Sequence, residues 1–216
     1  MIKVCGMREA DNIREVESLG IDLMGFIFWP KSKRYVAEPP SYLPTKVKKV
    51  GVFVDATLED IRQHIQDYQL DIIQLHGHET PAFIAQLSLL TPHLSLIKAF
   101  NIATAEDLTQ TKPYEGIVDY FLFDTRKPPE ETGGWHPPGG TGEKFDWGVL
   151  KAYHGQTPFL LSGGIGPDDA ERIKLLLTSN LSPLTSKCIG IDLNSRFEIT
   201  PGLKDVNQLR EFILKL

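Results

Sequence analysis

Short runs rich in Val, Ile, Leu and Phe recur along the chain: IKVCG (2–6), LMGFIF (23–28), KKVGVFVD (48–55), DIIQLHG (71–77), LSLIKAF (94–100), DYFLFD (119–124), PFLLSGG (158–164) and CIGIDL (188–193). All are too short for a core helix, and they lack the polar alternation of a half-exposed strand. They predict strands buried on both faces, which requires a parallel sheet covered by helices. Helical patterns with start and stop signals lie between most of them: READNIREVESLG, which Gly20 can end; ATLEDIRQHIQDYQ, which Asp55 or Thr57 can start; ETPAFIAQLSLL; TAEDLTQ; FDWGVLKAY; GPDDAERIKLLLTSN; and KDVNQLREFILKL. The weak place is EPPSYLPT (38–45), whose three prolines oppose a helix after the second strand.

Eight strand–helix pairs in 216 residues suit a closed (β/α)₈ TIM barrel with eight parallel strands better than an open doubly wound sheet. No Gly/Ser linker or low-complexity tract divides the chain, so residues 1–216 are expected to form one α/β domain. The one long Pro/Gly-rich stretch, TRKPPEETGGWHPPGGTGEKF (125–145), falls between the sixth strand and its helix, a length that suits a functional lid or an unstructured segment.

Composition narrows the function classes. With 41% hydrophobic and 24% charged residues the chain can bury a full core. A net charge of -5 and no basic cluster beyond KSKR (31–34) oppose a nucleic-acid partner. No apolar run approaches the ~18 residues of a membrane span, and no apolar leader opens the sequence. Two distant cysteines, Cys5 and Cys188, suit a reducing compartment, and a cytoplasmic protein is expected.

In such a barrel the chemistry sits at the carboxyl ends of the strands. Those ends read Cys5, the KSKRY loop, Asp55, His76, Asp124, the Ser-Gly-Gly of strand seven, and Asp192 to Ser195. A lone cysteine is commonly a small core hydrophobe, yet Cys5 and Asp124 at the mouth suit a proton acceptor and donor working on one small ligand. Two turns offer backbone N–H groups to a phosphate: the glycine turn Ser162, Gly163 and Gly164 after strand seven, and the Asn-Ser turn with Asp192, Asn194 and Ser195 after strand eight, with Gly140 and Gly142 of GGTG as a third wall. His76 and His78 lack a third metal ligand, and Lys98 on strand five suits a structural pairing better than a Schiff base. Neither a metal nor another cofactor is expected.

Taken together, KVCGMR, GFIFWPKSKRYV, VGVFVD, IQLHG, FLFDT, GGTGEKFDW, LSGGI and GIDLNSRFEITPGLKD resemble, in order and spacing, the phosphoribosylanthranilate isomerases of tryptophan biosynthesis. The resemblance implies an Amadori rearrangement of N-(5-phosphoribosyl)anthranilate to its 1-deoxyribulose 5-phosphate isomer. It also implies Asp124 as general acid, Cys5 as general base and Arg34 as the holder of the anthranilate carboxylate. A thiol base needs an electropositive setting, from a helix start or the substrate iminium. The chain departs from the family pattern in a longer loop after strand six, where TGGWHPPGG (132–140) runs into GGTG (139–142). A monomer or homodimer acting on a phosphorylated small molecule is expected. The rivals are a pentose-phosphate epimerase, which would want a metal or paired carboxylates, and a non-catalytic phosphate binder, which would need neither Cys5 nor Asp124.

Overall fold

The computed structural model describes residues 1–125, 147–178 and 187–216. Eight parallel strands close on themselves in sequence order: β1 (Ile2–Cys5), β2 (Leu23–Ile27), β3 (Lys48–Phe53), β4 (Ile72–Leu75), β5 (Ser95–Ile102), β6 (Tyr120–Thr125), β7 (Phe159–Ser162) and β8 (Cys188–Leu193), with β8 pairing back on β1. The expected barrel is present. Strand side chains alternate between two apolar layers, as period-two geometry requires. Cys5, Leu23, Val50, Val52, Ile72, Ile97, Ala99, Leu122 and Leu160 fill the barrel interior. The intervening residues, among them Val4, Ile73, Phe121, Phe123, Phe159 and Leu161, pack outward under the helices.

Local chemistry sets the helix ends. α1 (Ala10–Glu17) stops before Gly20, which takes the left-handed φ of 76°. α2 (Leu58–Tyr68) starts at Thr57, whose Oγ1 accepts the Asp60 N–H at 3.1 Å in a capping box. α3 (Pro81–Leu90) starts at Thr80 with Pro81 in the first turn. α4 (Ala170–Thr178) follows a short 3₁₀ turn over Pro167–Asp169, and α5 (Val206–Lys215) is capped by Asp205. Among the described residues no helix is long and apolar enough to cross a membrane.

The eight-pair expectation needs three corrections. No helix joins β2 to β3. That proline-bearing connection is held instead by Glu17, whose Oε1 accepts the Thr45 and Lys46 N–H groups at 2.6 Å each. The segments after β5 and β6 are 3₁₀ turns, Glu106–Tyr114 and Trp147–Ala152. An unexpected antiparallel hairpin, β9 (Glu198–Thr200) and β10 (Leu203–Lys204), follows β8 and turns at Gly202, φ 88°.

Candidate active site

Alternation decides which side chains reach the mouth. Val4 faces outward, so Lys3 and Cys5 face in; the same parity turns Gln74, His76, Asp124 and Ser162 inward on their strands. Cys5, Gln74, His76, Asp124, Ser162 and Asp192 then line one cavity with Gly163, Gly164, Asn194, Ser195 and Arg196; it encloses about 720 Å³ including its open mouth.

Cys5 is buried, and the space for its thiol is created by the neighbouring strand. Gly25 is its partner in the β1–β2 register, and a Cβ there would lie 2.7 Å from Cys5 Sγ. Burial raises the thiol above its ordinary value, opposed by the ammonium groups of Lys3 and Lys204. The positive setting expected from a helix start therefore comes from two buried lysines, and it does not outweigh desolvation.

Lys3 is fully buried beneath the thiol and donates to Asp192 Oδ1 at 2.8 Å; Ser162 Oγ donates to Asp192 Oδ2 at 3.3 Å. Asp192 was expected in the phosphate turn. Its carboxylate is turned to Lys3 and Ser162, and the residue lines the cavity. Burial raises the Asp192 carboxyl, with Lys3 working against it and the Asp124 carboxylate adding to it. Asp124 is buried at the end of β6, with Oδ2 3.7 Å from His76 Nε2.

Arg34 lies beside the cavity rather than in its lining. Nε and Nη2 hold Glu198 at 2.8 and 2.6 Å, and Lys204 Nζ donates to the same carboxylate at 2.6 Å and to Asn194 Oδ1 at 2.8 Å. Gly6, at φ 80°, lets this cluster approach the cysteine turn: a Cβ on it would meet Arg34 Cδ at 2.6 Å and Asn194 Oδ1 at 2.9 Å. Lys204 is lowered to about 8 by burial, with Glu198 and Cys5 opposing. Glu198 is lowered: Arg34 and Lys204 outweigh the desolvation that would raise it.

Gly163 and Gly164 take φ of 89° and 66°, a turn that favours glycine, and Asn194 and Ser195, after the neighbouring strand, line the same cavity. Gly140 and Gly142 lie outside the described residues. His78 faces Asp55 at 3.1 Å, and Lys98 Nζ is spent on Gly77 O at 2.8 Å and Glu79 Oε2 at 3.1 Å; among the described residues no cluster of His, Cys, Asp and Glu could hold a metal.

Sequence reasoning missed five residues. Lys3 was detectable as a charge two positions before Cys5 on an inward face. Gln74, buried with Oε1 lacking a partner among the described residues, was detectable by the same parity. Glu198, Lys204 and Arg196 carried no signal, because the hairpin and turn that place them were not foreseen.

A sequence profile of the family "N-(5'phosphoribosyl)anthranilate (PRA) isomerase" matches residues 2–215. The N-(5'-phosphoribosyl)anthranilate isomerase of Parabacteroides distasonis is 49% identical over 222 residues, covering 100% of this chain and 93% of that protein. The crystal structure of phosphoribosyl anthranilate isomerase from Thermotoga maritima superposes with a TM-score of 0.79 at 28% identity, covering 99% of this chain and 97% of that one. A phosphoribosyl anthranilate isomerase solved with reduced 1-(o-carboxyphenylamino)-1-deoxyribulose 5-phosphate superposes with a TM-score of 0.74 at 26% identity, covering 99% and 96%.

Proposed function

The chain belongs to the N-(5'-phosphoribosyl)anthranilate isomerase family, and from that premise we propose how its barrel mouth performs the reaction. The protein is an isomerase of tryptophan biosynthesis that converts N-(5-phosphoribosyl)anthranilate to 1-(2-carboxyphenylamino)-1-deoxyribulose 5-phosphate. Asp124 gives its proton to the furanose ring oxygen, the C1–O bond breaks, and the nitrogen lone pair forms a protonated Schiff base at C1. Cys5, having lost its Sγ proton to solvent, takes as the thiolate the proton from C2, whose electrons flow to the iminium nitrogen and leave an enolamine. Loss of the C2 hydroxyl proton and protonation at C1 give the ketone.

At rest the thiolate is sparsely populated because burial favours the neutral thiol. The iminium arrives as an added positive charge beside it and also acidifies C2–H, so base and acid are matched only once the ring has opened. Arg34, braced by Glu198, takes the anthranilate carboxylate, and the phosphate is seated at the turns of β7 and β8, at Ser162 to Gly164 and Asn194 to Ser195. Residues 1–216 act as one domain, in the cytoplasm, as a monomer or homodimer, with no nucleic-acid partner and no cofactor.

The observation that carries this reading is that Cys5 and Asp124 line one cavity whose other wall is the two glycine- and serine-bearing turns. The test follows the fluorescence of the anthranilate conjugate. Wild type should consume phosphoribosylanthranilate, while Cys5→Ala and Asp124→Asn should each lose ~10²–10⁴ in kcat with an unchanged circular dichroism spectrum. Near-normal kcat in either variant overturns the assigned roles.

A further inference from the structure

A phosphate dianion entering this mouth meets the Asp192 carboxylate and, beside it, the carboxyl of Asp124. Lys3 balances Asp192 from below at 2.8 Å, and a cation beside the turns at β7 and β8 would strengthen their hold on a dianion. Among the described residues lining the cavity, Arg196 is the sole lysine or arginine. It is the second residue of the 3₁₀ turn Ser195–Phe197 that follows β8.

Its guanidinium lies across the facing turn after β7. A Cβ built on Gly166 would meet Arg196 Nε at 3.1 Å and Nη2 at 3.2 Å, so the absence of a side chain at Gly166 is what lets the guanidinium lie there. The Gly166 N–H is taken by Asp169 Oδ2 at 2.9 Å, while Gly163, Gly164 and Ser195 line the cavity itself. A guanidinium spanning both turns faces the same space as those residues.

We propose that Arg196 is a substrate-binding residue whose planar fork closes the phosphate cradle from the β8 side. The inference rests on the reading that the phosphate sits at the β7 and β8 turns. An arginine suits the task because its fork matches two phosphate oxygens and its charge persists at any working pH. The cradle is then only partly a backbone device, and the side chain supplies a countercharge beside the Asp192 carboxylate.

The test measures KM for phosphoribosylanthranilate and the inhibition constant of inorganic phosphate in Arg196→Gln, Arg196→Lys, Gly166→Ala and Gly164→Val. Arg196→Gln should raise both constants by about 10- to 100-fold with kcat within about threefold, the range for one charge-assisted hydrogen-bonding group. Arg196→Lys, which keeps the charge and loses the fork, should fall between. Gly166→Ala leaves Arg196 in place and has a backbone φ of -128° that alanine accepts; it should raise both constants severalfold by displacing the guanidinium a few tenths of an ångström. If phosphate inhibition is unchanged in Arg196→Gln and Gly166→Ala but weakened in Gly164→Val, the cradle stands and the role of Arg196 is overturned. If all of these variants bind phosphate as wild type does, the cradle reading itself falls.

Discussion

Replacing Gly25 by alanine tests whether the thiol of Cys5 sits where the barrel places it. The new Cβ would lie 2.7 Å from Sγ and 3.2 Å from both Cα and Cβ of Cys5, against ordinary contacts of ~3.5–4 Å. Adjacent strands are tied by their ladder at ~4.8 Å, so neither backbone can retreat far. The thiol must rotate or the strands must part. Overpacking of this kind costs ~1–3 kcal/mol, which in a chain of this size lowers Tm by ~2–12 °C. A displacement of the base by ~1 Å should cut kcat about 100-fold. The decisive measurement is a double-mutant cycle by urea or thermal unfolding. Deleting Sγ removes the closest contact and leaves only those at 3.2 Å, so Gly25→Ala should cost at least ~1 kcal/mol less in the Cys5→Ala background than in wild type. Equal costs in both backgrounds would mean that the alanine methyl and the thiol do not compete for the same space, and the placement of the base would be wrong.

Arg34→Ala should raise KM by about 10- to 150-fold with a smaller change in kcat, as for loss of a charge-assisted hydrogen bond of ~1.5–3 kcal/mol; unchanged KM would confine Arg34 to its ion pair with Glu198. Because burial keeps the Cys5 thiol above its ordinary value despite Lys3 and Lys204, kcat/KM should still be rising at pH 8, and a plateau reached by pH 7 would show a thiolate already formed in the free enzyme. Glu115 accepts from Thr157 Oγ1 at 2.7 Å and from Tyr153 Oη at 2.9 Å, and together with Glu198 its carboxyl is held below the ordinary range. A folded pKa below the unfolded one stabilises above ~pH 4.3 and is lost as pH falls through the lowered values, so the urea midpoint should hold from pH 7 to 5 and decline below; Glu115→Gln should flatten part of that decline, and an identical decline in the variant would remove Glu115 as a source.

The sequence made the barrel legible because strands buried on both faces read as apolar runs, and eight such runs at regular spacing leave few architectures. Cys5 and Asp124 were legible for the same reason: a polar residue that ends an apolar run in this fold points at the mouth. What stayed hidden was everything that depends on parity within a run or on contacts across the chain. Lys3 looks like an ordinary strand-edge charge until Val4 is known to face outward; its neighbours Lys3 and Cys5 must then share the interior, and a buried ammonium demands a buried carboxylate, which Asp192 supplies from the adjacent strand. Asp192, read from the sequence as part of a phosphate turn, therefore also carries a side chain committed to Lys3. Arg34 and Glu198 are 164 positions apart, and Lys204 reaches their cluster only because Gly202 turns a two-stranded hairpin that no apolar periodicity announces. The cavity's charges therefore arrive as matched sets, Lys3 with Asp192 and Lys204 with Glu198 and Arg34. Arg196, which lines the same cavity from the turn after β8, is the residue proposed to bring the substrate's phosphate a countercharge.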